Sequence, residues 1–178
     1  MAGIDPDKPF HPLHIAILTI SDTRTMESDS SGALLVSRLE AAGHKLAARA
    51  LVPDDVTAIR AQAERWIADD SIDLIITTGG TGFSTRDVTP EAIKPLFDRE
   101  MDGFSVVFHM KSLETVGVST LQSRAFAGQA QGTFLFCLPG STGACRDAWD
   151  GIFAFELDSR YRPCSIVAHV PRLQSAAP

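Results

Sequence analysis

The chain has 178 residues, 44% of them hydrophobic and 21% charged, the balance of one ordinary globular domain with a core of its own. Sixteen Lys and Arg against 22 Asp and Glu leave a net charge of -6, which argues against nucleic acid or an anionic membrane as a main partner. No apolar run approaches the roughly 18 residues that span a bilayer. The first fourteen residues, with Asp5, Asp7 and Lys8, hold no apolar stretch of signal-peptide type, so a cytoplasmic protein is expected. Cys137, Cys145 and Cys164 form no C-x-x-C pair and read as buried reduced thiols.

Residues 14–20 are a nearly continuous apolar run rich in β-branched side chains, the signature of a central strand covered on both faces. Asp29, Ser30 and Ser31 offer caps for a helix carrying Leu34, Leu35 and Leu39, which Gly43 ends. A second strand over residues 45–52 stops at Pro53, and Asp54 or Asp55 can cap a helix with Ile59, Ala63, Trp66 and Ile67 on one face. A third strand, residues 72–78, runs into Gly79-Gly80-Thr81-Gly82. Thr89-Pro90-Glu91 reads as a helix start with Thr89 as its cap, and a further helix is predicted over residues 103–114.

Residues 122–129 and 133–138 flank Gln131-Gly132 and are expected to pair as antiparallel strands, the second buried in the sheet. Pro139-Gly140-Ser141 opens a last long helix with Trp149, Ile152, Phe153 and Leu157 on its apolar face. After Arg160, prolines among few periodic residues suggest a segment lying over the surface. Strands alternating with amphipathic helices predict an α/β fold of βαβ units around a mostly parallel sheet. The expected organisation is an N-terminal arm over residues 1–12, a single domain over 13–170 and a tail over 171–178.

Ligands of open parallel sheets bind beyond the carboxyl ends of the strands. The residues found there are Ser21-Asp22, Pro53-Asp54-Asp55, the 79–82 glycine cluster with Ser84, Arg86 and Asp87, and Pro139-Gly140-Ser141. Glycines free the backbone N–H groups to meet a phosphate, although a structural turn needs the same residues. The Lys of a P-loop is missing, and Thr85 stands where a dinucleotide fingerprint has its third glycine. Asp54 and Asp87, at one predicted edge, suit Mg²⁺, which takes one or two carboxylates together with water and phosphate; helix capping and a turn are the alternative roles. The turn at Pro139, Gly140 and Ser141 can receive an anion or simply cap. Ser123 and Arg124 can grip a phosphate, or form part of an exposed strand. His11, His14, His44, His109 and His169 have no metal-ligand spacing.

Thr78-Gly-Gly-Thr-Gly82, Arg86-Asp-Val-Thr-Pro90 and Leu138-Pro-Gly140, supported by Ile20-Ser21-Asp22, Asp29-Ser-Ser-Gly32, Pro53-Asp54 and Ser123-Arg124, together resemble the MoaB/MogA family over nearly the whole chain. The resemblance implies a three-layer α/β/α sandwich whose mixed, mostly parallel sheet has one antiparallel strand, and assembly into a homotrimer or homohexamer. It also implies molybdenum cofactor biosynthesis, in which bound molybdopterin is adenylylated by Mg-ATP with release of pyrophosphate. On that mapping Asp54 and Asp87 are the Mg²⁺-associated catalytic carboxylates. Ser21, Asp22, Gly79, Gly80, Thr81, Gly82, Ser123 and Arg124 bind the substrate, and Pro139, Gly140 and Ser141 lie near the nucleotide. Middle segments such as Thr120-Leu-Gln-Ser-Arg124 look most like MoaB, for which binding and delivery of molybdopterin without chemistry is the alternative; Arg86-Asp87-Val88-Thr89-Pro90 follows the adenylyltransferases.

Overall fold

The computed structural model describes residues 2–174; Met1 and the last four positions of the expected tail lie outside them. Eight strands are described in chain order: β1 (Gly3–Ile4), β2 (His14–Ile20), β3 (Lys45–Val52), β4 (Leu74–Thr78), β5 (Arg99–Glu100), β6 (Phe126–Ala130), β7 (Thr133–Leu138) and β8 (Tyr161–Arg162). The helices are α1 (Ser30–Ala41), α2 (Val56–Ile67), α3 (Thr89–Ile93), α4 (Asp102–Val116), α5 (Thr142–Ala148), α6 (Ala154–Glu156) and α7 (Pro171–Gln174).

Six strands form one mixed sheet in the order β3-β2-β4-β7-β6-β5. The first four run parallel, and β6 is antiparallel to both of its neighbours, so a single strand opposes the rest. Helices cover both faces, as the apolar strands require. Along β2, Ile15 and Ile17 enter one core while Ala16, Leu18 and Ile20 enter the other, all at most 3% exposed. β7 divides in the same way, with Phe134, Phe136 and Leu138 opposite Leu135 and Cys137. The first core packs α1, α4 and α5 against one face, and the second packs α2 and α3 against the other.

Asp29 caps α1 by accepting from the Gly32 N–H, and Asp55, not Asp54, caps α2 by accepting from the Ala58 N–H. That choice leaves the Asp54 carboxylate for other work. Thr89 is no cap. It is the first residue of α3, and its hydroxyl instead donates to the Gly79 carbonyl at 2.9 Å. The last long helix is interrupted by a π-helical turn, Trp149–Phe153, between α5 and α6.

Further expectations are corrected. The third strand begins at Leu74 rather than residue 72, and β6 begins at Phe126, leaving Ser123 and Arg124 in the loop after a 3-10 turn, Gly117–Gln122. β5 was not foreseen; it is a two-residue edge strand of charged, exposed side chains. The segment after Arg160 does more than lie on the surface: Ile166, Val167 and Val170 are buried in the first core, and Arg172 makes a two-pronged ion pair with buried Asp73. Cys164 is exposed, whereas burial pushes the Cys137 and Cys145 thiols up to about 12 and about 11, far from thiolate chemistry.

The N-terminal arm lies along its own chain. β1 pairs antiparallel with β8, and the Phe10 ring sits 5.3 Å from that of His44 and beneath the Arg160 guanidinium. Among the described residues no helix is long and apolar enough to cross a membrane.

Candidate active site

Because β3, β2, β4 and β7 are adjacent and parallel, the loops leaving their carboxyl ends emerge side by side. They enclose a cavity of about 380 Å³. Ser21, Asp54, Gly79, Gly80, Thr81, Gly82, Asp87, Ser123, Pro139, Gly140 and Ser141 all line it. Thr19, Arg24, Ser31, Thr78 and Gln122, to which the sequence assigned no role in the site, line it too. A larger cavity, about 750 Å³, lies on the other side of Arg124 among residues of α3, β5 and β6; it holds none of the glycine-cluster residues.

The strand ends approach one another so closely that Gly79 admits no other residue. Its φ is +115°, and a Cβ there would stand 2.1 Å from the Ile20 carbonyl oxygen. The Gly79 N–H donates to the Leu138 carbonyl at 3.0 Å, and the Thr78 hydroxyl donates to that of Pro139 at 2.9 Å. The ends of β4 and β7 are thereby tied at the cavity floor, with the end of β2 packed against Gly79. At Gly80, with φ +64°, a Cβ would fall 2.4 Å from the Thr89 hydroxyl and 3.2 Å from Asp54 Oδ1, so a side chain would intrude between the acidic loop and α3.

The acidic wall is cross-linked. The Asp22 N–H donates to Asp54 Oδ2 and the Asp54 N–H donates to Asp22 Oδ1, both at 3.0 Å, clasping the loop after β2 to the loop after β3. Asp22 is thus exposed at the rim and outside the lining. Asp87 lies against Gly82, and its Oδ2 accepts from the Ser84 N–H at 2.8 Å. Burial pushes the Asp54 carboxyl above the usual aspartate value; the Asp22 N–H opposes this, the charges of Asp22 and Asp87 add to it, and Arg86 offsets part. A carboxylate held among like charges is stabilised by a cation, and its oxygen donors are those that Mg²⁺ accepts. Among the described residues no group of three or more His, Cys, Asp or Glu stands ready to hold an ion unaided. Mg²⁺ fits this donor set as an ion that completes its shell with water and ligand phosphate.

Arg124 is brought to the site but does not line it. Its Nε donates to the Gly82 carbonyl at 2.8 Å, Nη2 to the Asp87 carbonyl and Nη1 to Glu91, while its own N–H donates to the Thr81 carbonyl. This guanidinium braces the glycine loop from behind. Asp29, 1% exposed, plays a similar part under the opposite wall. Burial works against its charge, but hydrogen bonds from Thr19, the Gly32 N–H, Arg49 and Ser31 prevail and hold the carboxyl below the ordinary aspartate value. Its contribution to stability is therefore complete above an unfolded pKa near 4 and is lost as pH falls through the depressed folded value. Asp29→Asn is expected to cost about 1–3 kcal/mol at pH 7, and urea titrations should show the gap from the parent narrowing below about pH 4; a gap independent of pH would deny Asp29 its charge.

Residues 16–159 match the family described as Probable molybdopterin binding domain. The chain belongs to the MoaB/MogA family. A MoaB relative, Molybdenum cofactor biosynthesis protein B of Escherichia coli K12, is 50% identical over 163 residues, covering 92% of this chain and 96% of its own. The crystal structure of a Molybdenum cofactor biosynthesis protein B superposes with a TM-score of 0.82 at 36% identity, over 96% of this chain and all of that one. A MogA structure aligns with a TM-score of 0.72 at 26% identity, covering 92% and 99% of the two chains. The three-layer α/β/α architecture and the role in molybdenum cofactor biosynthesis are those of the MoaB/MogA family.

Proposed function

We propose that the protein binds molybdopterin and adenylylates it with Mg-ATP. One observation carries this reading: loops from four adjacent strands bring Asp54 and Asp87, the glycine cluster and the Pro139–Ser141 turn around a single cavity of small-molecule size. In the reaction a phosphate oxygen of molybdopterin attacks the α-phosphorus of ATP. The new P–O bond forms as the α–β anhydride bond breaks, and pyrophosphate leaves. Mg²⁺, held by Asp54 and Asp87, would neutralise charge on the transferring group.

The chain's own part is chiefly positioning. Backbone groups of Gly79, Gly80, Thr81 and Gly82 and the Ser123 hydroxyl hold the pterin and its phosphate. Pro139, Gly140 and Ser141 face the nucleotide, Ser21 lines the pocket between them, and Asp22 fixes the Asp54 loop. Arg124 supports the glycine loop from outside. The test is incubation of purified protein with molybdopterin and labelled ATP, with assay for pyrophosphate and adenylylated pterin. Molybdopterin binding without either product would reduce the role to binding and delivery.

Assembly into a homotrimer or homohexamer is part of the same proposal. Val106, Met110 and Leu113 recur at helical spacing on the exposed side of α4, and Val118 and Leu121 extend the patch, each more than half exposed. A second copy of the chain would cover such a surface. The double substitution Met110→Glu/Leu121→Glu is expected to yield monomers by light scattering; an unchanged mass would place the interface elsewhere.

A further inference from the structure

Among the described residues lining the cavity, Arg24 is the single cation. It follows β2 in a tight turn, where Ser21 Oγ accepts from the N–H groups of both Thr23 and Arg24. Its guanidinium reaches across to the opposite flank. Nη1 donates to Ser30 Oγ at 3.2 Å and Ser31 Oγ at 3.3 Å, and Nη2 donates to the Gly140 carbonyl at 3.4 Å. All three bonds are long and end on neutral oxygens, so they aim the group without consuming its charge.

Nor is that charge spent on Asp29. The carboxylate of Asp29 has Arg49 at 3.0 Å and accepts further bonds from Thr19, Ser31 and the Gly32 N–H, whereas Arg24 stands 3.8 Å from its other oxygen. One buried anion faces two guanidiniums, and the nearer one satisfies it. The surplus positive charge sits on the side chain that is 32% exposed at the cavity wall. The polarity of the cavity follows the strand order: Asp54 lies beyond β3 at one flank, and Gly140, which Arg24 touches, lies beyond β7 at the other.

We propose that Arg24 is a phosphate-binding residue of this site, exchanging its weak bonds to Gly140, Ser30 and Ser31 for paired bonds to phosphate oxygens. The planar fork of Arg suits two oxygens of one phosphate, and the exchange replaces neutral acceptors by anionic ones. The proposal rests on the adenylyl-transfer reading for the identity of its ligand. The phosphate belongs either to the nucleotide or to molybdopterin, and separate probes distinguish them.

Calorimetric titrations of the parent, Arg24→Gln and Arg24→Lys with the non-hydrolysable α,β-methylene analogue of ATP, with inorganic pyrophosphate and with molybdopterin test the assignment. Arg24→Gln is expected to weaken the ligand whose phosphate Arg24 holds by about ten- to a hundredfold. Arg24→Lys should fall between, since it keeps the charge and loses the fork. Loss with the analogue and pyrophosphate names the nucleotide as the source; loss with molybdopterin names the pterin. Thermal unfolding of each variant identifies any that fails to fold, and should Arg24→Gln do so, Arg24→Lys alone decides. Parent-like affinity of the folded variants for all three probes, or no binding of any probe by the parent, overturns the assignment. Binding is read without turnover, so a parent that binds the probes but releases no pyrophosphate from ATP would sink the reaction and leave the Arg24 assignment standing.

Discussion

Asp87→Ala is expected to abolish AMP transfer while leaving molybdopterin affinity largely intact. The loop should survive the change, because the main-chain carbonyl of residue 87 is held by Arg124 Nη2 and the Thr81 carbonyl by the Arg124 N–H, neither through the Asp87 side chain. What disappears is a negative charge beside Asp54 that serves the reacting phosphate. Loss of one such electrostatic group typically lowers kcat by about 10²–10³-fold, and a contact made only during reaction leaves ground-state binding alone. Asp87→Asn separates charge from shape. It keeps an oxygen to accept from the Ser84 N–H, the 2.8 Å bond that the aspartate makes, and is expected to be as inactive as the alanine variant. Single-turnover assays with labelled ATP measure both, and turnover equal to the parent's would remove Asp87 from the chemistry.

Gly79→Ala is expected to be the most damaging conservative change to folding. A Cβ at that position would meet a main-chain oxygen, that of Ile20, at 2.1 Å, and neither β2 nor β4 can withdraw without breaking the parallel pairing of Thr19 with Thr78. The φ of +115° adds strain that an L side chain does not tolerate. Together these should cost about 3–5 kcal/mol, a fall in melting temperature of roughly 10 °C for a chain of this size. Differential scanning calorimetry checks it. A parent-like melting temperature would mean that the strand ends are looser than the close approach requires. Gly143, where an added Cβ meets nothing within 4 Å, is the natural control.

The central strand β2 was legible because two-sided burial writes itself as an apolar run, and residues 14–20 coincide with it. The edge strand β3, which carries Lys45 and Arg49, coincides with residues 45–52 and was marked by the stop at Pro53. What went unread has no local signature. Arg99–Glu100 is a strand only because β6 offers an edge to it, and two exposed charged residues announce nothing. Ile166, Val167 and Val170 are core residues without helical or strand periodicity, since a 3-10 turn and prolines carry them inward.

The site divides in the same way. Glycines and acids at strand ends could be found from topology alone, and the cavity gathers the two aspartates with both turns. Arg24 and Arg124 were harder, because the meaning of an arginine is set by partners distant in sequence. Arg124 reads as a free cation until Gly82, 42 residues earlier, and Glu91 claim its guanidinium. Arg24 reads as nothing until Gly140, 116 residues later, comes within reach.

One short strand links the two ends of this domain. β4 is five residues long; Gly79 follows it at the cavity floor, and Asp73 precedes it, clamped by Arg172 from the C-terminal segment and accepting from the His14 N–H. Reinforcement at the Asp73 tip therefore leaves the cavity at the other tip of the same rod untouched. An engineer who reinforces the Asp73 tip works about 20 Å from the cavity floor at Gly79, with latitude that no position around Gly79 provides.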